Sequence, residues 1–377
     1  MILTASACAA EPPLESIDGT IASDSAAAPL VEFARLPQGP GPLRIAARPS
    51  FRLGGLYDND SLEFDPRAHL PVVALVDGTI VVGDHQRLKF YAPDGTLLRI
   101  AGRYGYGPGE FDSIRDLCPQ ADTTLAVIDG DGRWSVWNRQ GQLLHAHERE
   151  GVIPNRACSA SGDLLVLDGL HTVVDTDGRR RAPYTFHRLD GTPRLTIGPL
   201  SVSEYFVNVL FIPAFTFHGQ SLLIGDSRTF ALQEVSIEDG RTLRRWHVHG
   251  GMRPMSQAVY DSIVESGFPR DASADQRKKT LARAAELGNP GVFPAFFEVR
   301  YDPAGRIWIN PAFERWRWYV IDRQGMRLSL VTLPMPPTEL AKLEGFTDRH
   351  VAIHQFDADG APILSFHSIE ERAPAQH

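Results

Sequence analysis

The chain has 377 residues, and Lys+Arg 38 against Asp+Glu 46 leave a formal net charge of −8. A pI near 5.9 without a long Lys/Arg cluster excludes a general electrostatic grip on nucleic acid or an anionic membrane, and 43% hydrophobic with 22% charged residues excludes a largely disordered chain. Gly 33 and Pro 28 favour many turns over long helices, and no stretch of about 18 apolar residues is available to cross a membrane as a helix.

The first residues, Met1-Ile-Leu-Thr-Ala-Ser-Ala-Cys8-Ala-Ala, resemble the end of a bacterial lipoprotein signal, in which the cysteine is lipidated. Ala5 stands where that motif usually has Leu, and a charged and an apolar segment are missing before it. On this resemblance Cys8 is the expected lipid anchor; the alternative is a cytoplasmic, Ala-rich tail. Residues 1–42 are rich in Ala, Pro, Gly and Ser, and are expected to form a tether and an irregular lead-in. Residues 43–54 alternate like a strand and have no repeat of their own, so they are expected to complete the last unit of the fold.

From residue 77 a unit recurs. Asp77-Gly-Thr-Ile-Val-Val-Gly-Asp84 leads through a polar turn to Arg87-Leu-Lys-Phe-Tyr and the Asp94-Gly95 turn. Copies follow at Leu125–Asp129 with Gly141, Leu164–Asp168 with Gly191, Leu222–Asp226 with Gly240, and Ile307–Asn310 with Gly325; a last, truncated copy carries Gly360. The turn glycines lie 46, 50, 49, 85 and 35 residues apart. The first three spacings have the length of a four-stranded propeller blade, the fourth that of a blade plus an insertion, and the fifth that of a compressed blade. Continuous apolar runs such as Ile80-Val-Val suit strands covered on both faces. The Asn/Asp/Gln-Gly pairs supply the positive φ of a tight hairpin. The expected fold is therefore all-β, a six-bladed β-propeller over residues 43–370, with residues 371–377 as a tail.

The segment Ala101-Gly-Arg-Tyr-Gly-Tyr-Gly-Pro-Gly-Glu110-Phe111, after the strand–Asp–strand–Asp-Gly pattern, resembles the G-x-G-x-G-E-F segment of NHL-repeat propellers. Over roughly residues 43–370 the chain resembles the large, mostly uncharacterised bacterial family of six-bladed NHL-like propellers, many of them exported. Gly105, Gly107 and Gly109 do not make a phosphate loop, because they enter no helix and Pro108 removes an amide. Cys118 and Cys158 each lie seven residues before an equivalent leucine, Leu125 and Leu165. If these are neighbouring copies of one unit, the two thiols could form a disulfide in an oxidising compartment; two reduced, buried cysteines are the alternative.

Between the fourth and fifth copies the period becomes helical, and a helical hairpin is expected within 255–288. Ser256 would cap a first helix with Val259, Tyr260, Ile263 and Val264 on one face. Ser273 and Gln276 would form a capping box for a second, with Leu281, Ala284, Ala285 and Leu287 opposite Arg277, Lys278, Lys279 and Arg283.

Asp84, Asp129, Asp168, Asp226 and Asn310 recur at one place in five copies. A residue repeated in every blade is explained by turn chemistry, whereas a catalytic calcium site should break the symmetry. His247 and His249 share a strand face and His218 lies in the same copy, but no third ligand is evident, so no metal site is assigned. No hydrolase, zinc-protease or P-loop motif occurs. The expected function is that of a non-enzymatic, extracytoplasmic binding or scaffold protein, periplasmic or on the outer surface, monomeric and without a cofactor. Its partner would be a protein, peptide or glycan, and it would touch a membrane only through Cys8. Arg103, Tyr104 and Tyr106 of the Gly-rich loop and Arg277, Lys278 and Arg283 of the hairpin are the candidate ligand contacts; the alternative for Tyr104 and Tyr106 is packing between the first two blades. The alternative is a metal-assisted hydrolase or lyase, with calcium at the axial mouth.

Overall fold

The computed structural model describes residues 16–18, 20–22, 28–55, 62–66, 68–120, 123–130, 132–147, 158–167, 173–174, 180–201, 214–266, 268, 273–289, 291–312, 314–334 and 341–372. The repeats become antiparallel meanders arranged as a propeller-like ring of sheets. The first meander is Val72–Ala74, Ile80–Asp84, Arg87–Tyr91 and Leu97–Ala101. The second is Ile114–Pro119, Leu125–Asp129, Trp134–Trp137 and Leu143–His147. The third holds Asp163–Leu167, Arg180–Arg188 and Pro193–Ser201, with the short Val173–Val174 and a bridge from Cys158 to Leu164 on its inner side. Ala214–His218, Ser221–Asp226, Ala231–Ser236 and Thr242–Val248 make the fourth, and Phe296–Tyr301, Ile307–Pro311, Arg317–Ile321 and Arg327–Thr332 the fifth.

The last meander has Lys342–Phe346, His350–Phe356 and Pro362–Glu371 from the end of the chain. Its missing strand comes from the beginning. Phe51–Gly54 runs antiparallel to Pro362–Glu371, with Phe51 opposite Phe366 and Gly54 opposite Ile363, and Leu43–Ile45 pairs with the far end of the same strand. In five copies the turn glycine joins the third and outermost strands, whereas Gly360 joins Phe356 to Pro362 one hairpin earlier. The short spacing of 35 therefore reflects a displaced turn and not a compressed unit.

The blade count differs from expectation. Four sheets stand apart, but the first and last meanders merge into one nine-stranded sheet. Counted as separate units, the ring shows four blades and not six. The merger is a single parallel pairing between the innermost strands, Gly345 with Val72. A Cβ at Gly345 would run into the Val72 carbonyl, so only glycine lets these two backbones meet.

Ile80–Asp84, Leu125–Asp129 and Ile307–Pro311 are buried at every residue, because each is covered by a neighbouring sheet on either side. One such layer packs Val81, Leu88 and Phe90 of the first sheet against Leu117, Val127 and Trp137 of the second, with Phe111 of the connecting loop between them. Hairpin glycines 95, 141, 191, 240 and 325 have φ between 72 and 91°, the left-handed region that a side chain disfavours.

The lead-in is not merely a tether. Leu30–Phe33 lies parallel to Thr242–Val248 on the edge of the fourth sheet, Thr20–Ala22 pairs with it in turn, and Ser16–Asp18 extends the fifth sheet along Arg327–Thr332. Val31 and Phe33 are 1% and 0% exposed within the core between those sheets. Alternation over four residues explains the placement: Val31 and Phe33 point inward, Leu30 and Glu32 outward.

Two helices, α1 (Gln257–Ser266) and α2 (Ala274–Leu287), occupy the expected interval. Ser273 and Gln276 form the capping box. Met255, Tyr260, Val264 and Ala284 make the hairpin's own small core, tied by the Tyr260 hydroxyl donating to the Ala284 carbonyl at 3.1 Å. Val259 and Leu281 are 41% and 46% exposed and Ala285 is exposed, so the buried stripes are narrower than expected. The Leu287 side chain lies outside the described residues.

If Leu30–Phe33 belongs to the folded core, Phe33→Ala lowers stability by about 3–5 kcal/mol in a denaturant titration. A variant as stable as wild type would return this segment to the status of a tether.

Candidate binding groove at the first crossover

In the second sheet Ile114 pairs with Asp129, Ile128 with Trp134 and Trp134 with His147. The start of the innermost strand, the second turn and the end of the outermost strand thus converge at one end of the sheet. The loop arriving from Ala101 lands there.

That loop is braced from within. Arg103–Tyr104 runs parallel to Glu110–Phe111. The Glu110 carboxylate accepts from the Gly107 amide at 2.9 Å and from Arg103 Nη2 at 2.8 Å. The amide first, then the guanidinium, hold this carboxyl below its ordinary range. Phe111 is buried, its ring 5.6 Å from that of Trp137, and pins the loop to the layer between the first two sheets. Tyr104 and Tyr106 are left 58% and 62% exposed, edge to face at 6.2 Å. Contact with Tyr104 and the nearby Asp112 raise the Tyr106 hydroxyl above its usual range.

Beside Tyr106 opens a cavity of about 220 Å³, lined by Glu110, Phe111, Arg133, Trp134 and His147 among others. Arg133 donates to the Tyr106 carbonyl at 2.5 Å and to Asp129 at 2.6 Å, with its guanidinium 5.5 Å from the Tyr106 ring centre. Trp134 stacks on His147 at 5.2 Å. Of these aromatic residues Tyr106 is the exposed one, while Trp134 is buried and the Arg133 guanidinium is paired with Asp129. The lip of the cavity therefore offers mainly the tyrosine rings to a ligand.

The recurrent acids tie loops. Asp129 accepts from the Asp112 and Ser113 amides at 3.0 and 2.7 Å, and Asp84 from the Asp65 amide at 2.8 Å while pairing with buried Lys89 at 2.9 Å. Asp226 accepts from the Arg228 amide at 2.9 Å, and the Asn310 amide donates to the Glu314 and Arg317 carbonyls at 3.3 and 3.1 Å. Asp168 and Cys8 lie outside the described residues.

Arg103, Tyr104 and Tyr106 therefore come together. Arg277 and Lys278 lie elsewhere, exposed on α2 at the crossover from the fourth sheet to the fifth, with Arg277 against the Phe268 ring at 5.3 Å; the Arg283 side chain is outside the described residues. Cys118 and Cys158 occupy inner positions of adjacent sheets with Cα atoms 5.9 Å apart and their sulfurs in bonding contact. His247 and His249 have ring centres 4.4 Å apart and are joined by Glu32. His218 packs instead on Tyr301 at 5.0 Å.

Near the axis a charge cluster forms that no repeat signalled. Glu344, 1% exposed, lies 3.4 Å from Lys342, 3.6 Å from His69 and 3.6 Å from His354. Burial alone would raise its carboxyl, but Lys342, His69 and the His354 hydrogen bond outweigh burial and hold it far below the carboxylate range. On the adjacent inner strand buried Arg300 pairs with Glu298. Arg133, Trp134 and His147 of the groove also carried no local signal, since only the sheet register assembles them.

No family model and no curated protein matches this chain. Among solved structures it is similar to a "putative exported protein" from Bacteroides fragilis NCTC 9343, at 11% identity and a TM-score of 0.56 over 91% of this chain and all of that one. That likeness is one of fold. A chain of a mitotic checkpoint complex (11% identity, TM-score 0.42, covering 87% of this chain and 94% of that one) and KlHsv2 with its loop 6CD replaced by a Gly-Ser linker (8%, 0.36, 80% and 99%) are more distant.

A carboxyl depressed in the folded state stabilises the fold above its ordinary pKa, and that stabilisation is lost as pH falls through the folded value. His350 and His367, held below the ordinary range mainly by burial, destabilise the fold as pH falls below the ordinary histidine value. Glu344→Gln leaves the neighbouring cations uncompensated and should cost about 3 kcal/mol at pH 7. The gap from wild type should shrink as the medium is acidified below about pH 4.5, while the histidine-driven loss at higher pH persists in both proteins. A gap independent of pH would refute the role given to this carboxylate.

Proposed function

We propose that this protein is a non-enzymatic binding or scaffold protein working outside the cytoplasm, which uses the 102–111 loop and the cavity beside it to hold a protein, peptide or glycan. The observation that carries this reading is the exposed Tyr104–Tyr106 pair on a loop whose base is locked by Glu110 and Phe111. Two large apolar rings kept in water on a rigid support are a standing cost that contact with a ligand relieves, and Tyr and Arg are the residue types that concentrate binding energy. The axial carboxylate favours this over metal-assisted hydrolysis, because Lys342 is already its counter-charge at 3.4 Å.

The ring reads best as six blades of the NHL-like kind. Innermost segments begin at Val72, Ile114, Cys158, Ala214, Phe296 and Lys342, and the nine-stranded sheet divides at its one-residue junction into two meanders of the common pattern. An extracytoplasmic location draws support from the paired cysteines, which suit an oxidising compartment, and from the description of the Bacteroides fragilis neighbour as exported. Among the described residues no helix is long and apolar enough to cross a membrane; attachment through a lipidated Cys8 is part of the proposal.

Screening wild-type protein against glycan arrays and displayed peptide libraries should yield ligands whose affinity falls at least tenfold in the Tyr104→Ala/Tyr106→Ala double variant. Ligands held equally by both proteins would place the binding face elsewhere. Exported and cytoplasmic preparations, alkylated after denaturation, should differ in mass: Cys118 and Cys158 unlabelled in the first and labelled in the second. Labelling of both residues in exported protein would remove the disulfide from the proposal.

A further inference from the structure

We infer that Glu32, His247 and His249 form a binding site for a divalent transition-metal cation of the zinc type, which fastens the N-terminal strand to the edge of the fourth sheet. The parallel register sets Glu32 beside His247 and Phe33 beside Val248, and the His249 amide donates to the Phe33 carbonyl at 2.9 Å. His247 and His249 are two residues apart and present their rings together, 4.4 Å between centres. Glu32 Oε1 is 3.2 Å from His249 Nε2. One ligand atom from each of the three lies within 4.8 Å of the others, the one such trio among the described residues.

A tetrahedral zinc shell places its donor atoms about 3.3 Å apart, so two of the three are already at that spacing, and small rotations of partly exposed rings bring in the third. Water would complete the shell. Two imidazoles and one carboxylate suit Zn²⁺ or Co²⁺ and suit Mg²⁺ or Ca²⁺ poorly, since those ions prefer oxygen. Glu32 and His249 are 217 residues apart in sequence, so a cation here would cross-link the lead-in to the ring over a long loop. The neighbouring inward positions, Val31 and Phe33, are apolar, so Glu32 is the ligand that Leu30–Phe33 brings to this edge.

Titrating tag-free, chelator-treated full-length protein with Zn²⁺ in a calorimeter should show one equivalent bound. His247→Ala and His249→Ala should each weaken binding at least tenfold, and Glu32→Gln about tenfold. Co²⁺ should give the visible absorption of a tetrahedral site in wild type and not in the His247→Ala/His249→Ala variant, and excess Mg²⁺ should not displace it. Zn²⁺ should raise the melting temperature of wild type and leave that of the double variant unchanged. All three positions are at least partly exposed, and unaltered near-UV circular dichroism will establish that each variant folds. Absence of stoichiometric binding, or binding undiminished in the histidine variants, would overturn the assignment.

Discussion

The structure depends on strand pairing between the two ends of the chain. A ring of sheets has stability only when its last member is complete, and three strands of that member come from residues 342–371 while the remaining edge comes from residues 43–54. Open, the ring would leave a row of unpaired amides and carbonyls along Pro362–Glu371, together with the apolar faces of Leu364 and Phe366, both fully buried when it is closed. At the centre a second contact, Gly345 on Val72, draws the first and last inner strands together. The outer seam is broad and made of many hydrogen bonds; the inner one is a single point that only glycine permits.

Much of this was legible because the hairpins use local chemistry. Asp94-Gly95, Gln140-Gly141, Asp190-Gly191, Asp239-Gly240 and Gln324-Gly325 each need a positive φ, and a residue type chosen for a dihedral is visible without knowing what packs on it. The capping box of α2 was visible for the same reason. Pairings between remote segments were not. Leu30-Val-Glu-Phe33 is too short, and too closely surrounded by Ala and Pro, to stand out as a strand, although Val31 and Phe33 belong to the core. Glu32 reaches His247 only through that parallel register, so nothing within either segment announces the partnership. Leu281 misled for a different reason: among the described side chains of that face of α2, the small hairpin core takes Ala284 and leaves Leu281 and Ala285 exposed.

The candidate site shows the same division. Tyr104 and Tyr106 were conspicuous because bulky rings among glycines have little else to do, and their exposure is a property of the loop alone. Arg133 and Trp134 come from a turn and the strand it leads into, and His147 from the next strand of the second sheet, and only the register brings them to the loop. The charged groups at the axis carry no repeat signal, because they break the symmetry that made the blades readable. Lys342 and Glu344 lie on one inner strand and His354 on the next, while His69 arrives from the crossover into the first sheet. The pairing of Glu344 with Lys342, with His69 and His354 packed beside it, makes this cluster a structural joint between the inner strands.

The seam between residues 43–54 and 362–371 also governs how the protein is made. Phe51–Gly54 is synthesised about 300 residues before its partner strand, Pro362–Glu371. Until that strand is made the first segment has no edge to join, and the final sheet cannot form. Contacts between such distant segments carry a large loop-closure cost and slow folding. Until Pro362–Glu371 is available the ring stays open, and its unpaired strands are exposed to misassociation unless shielded.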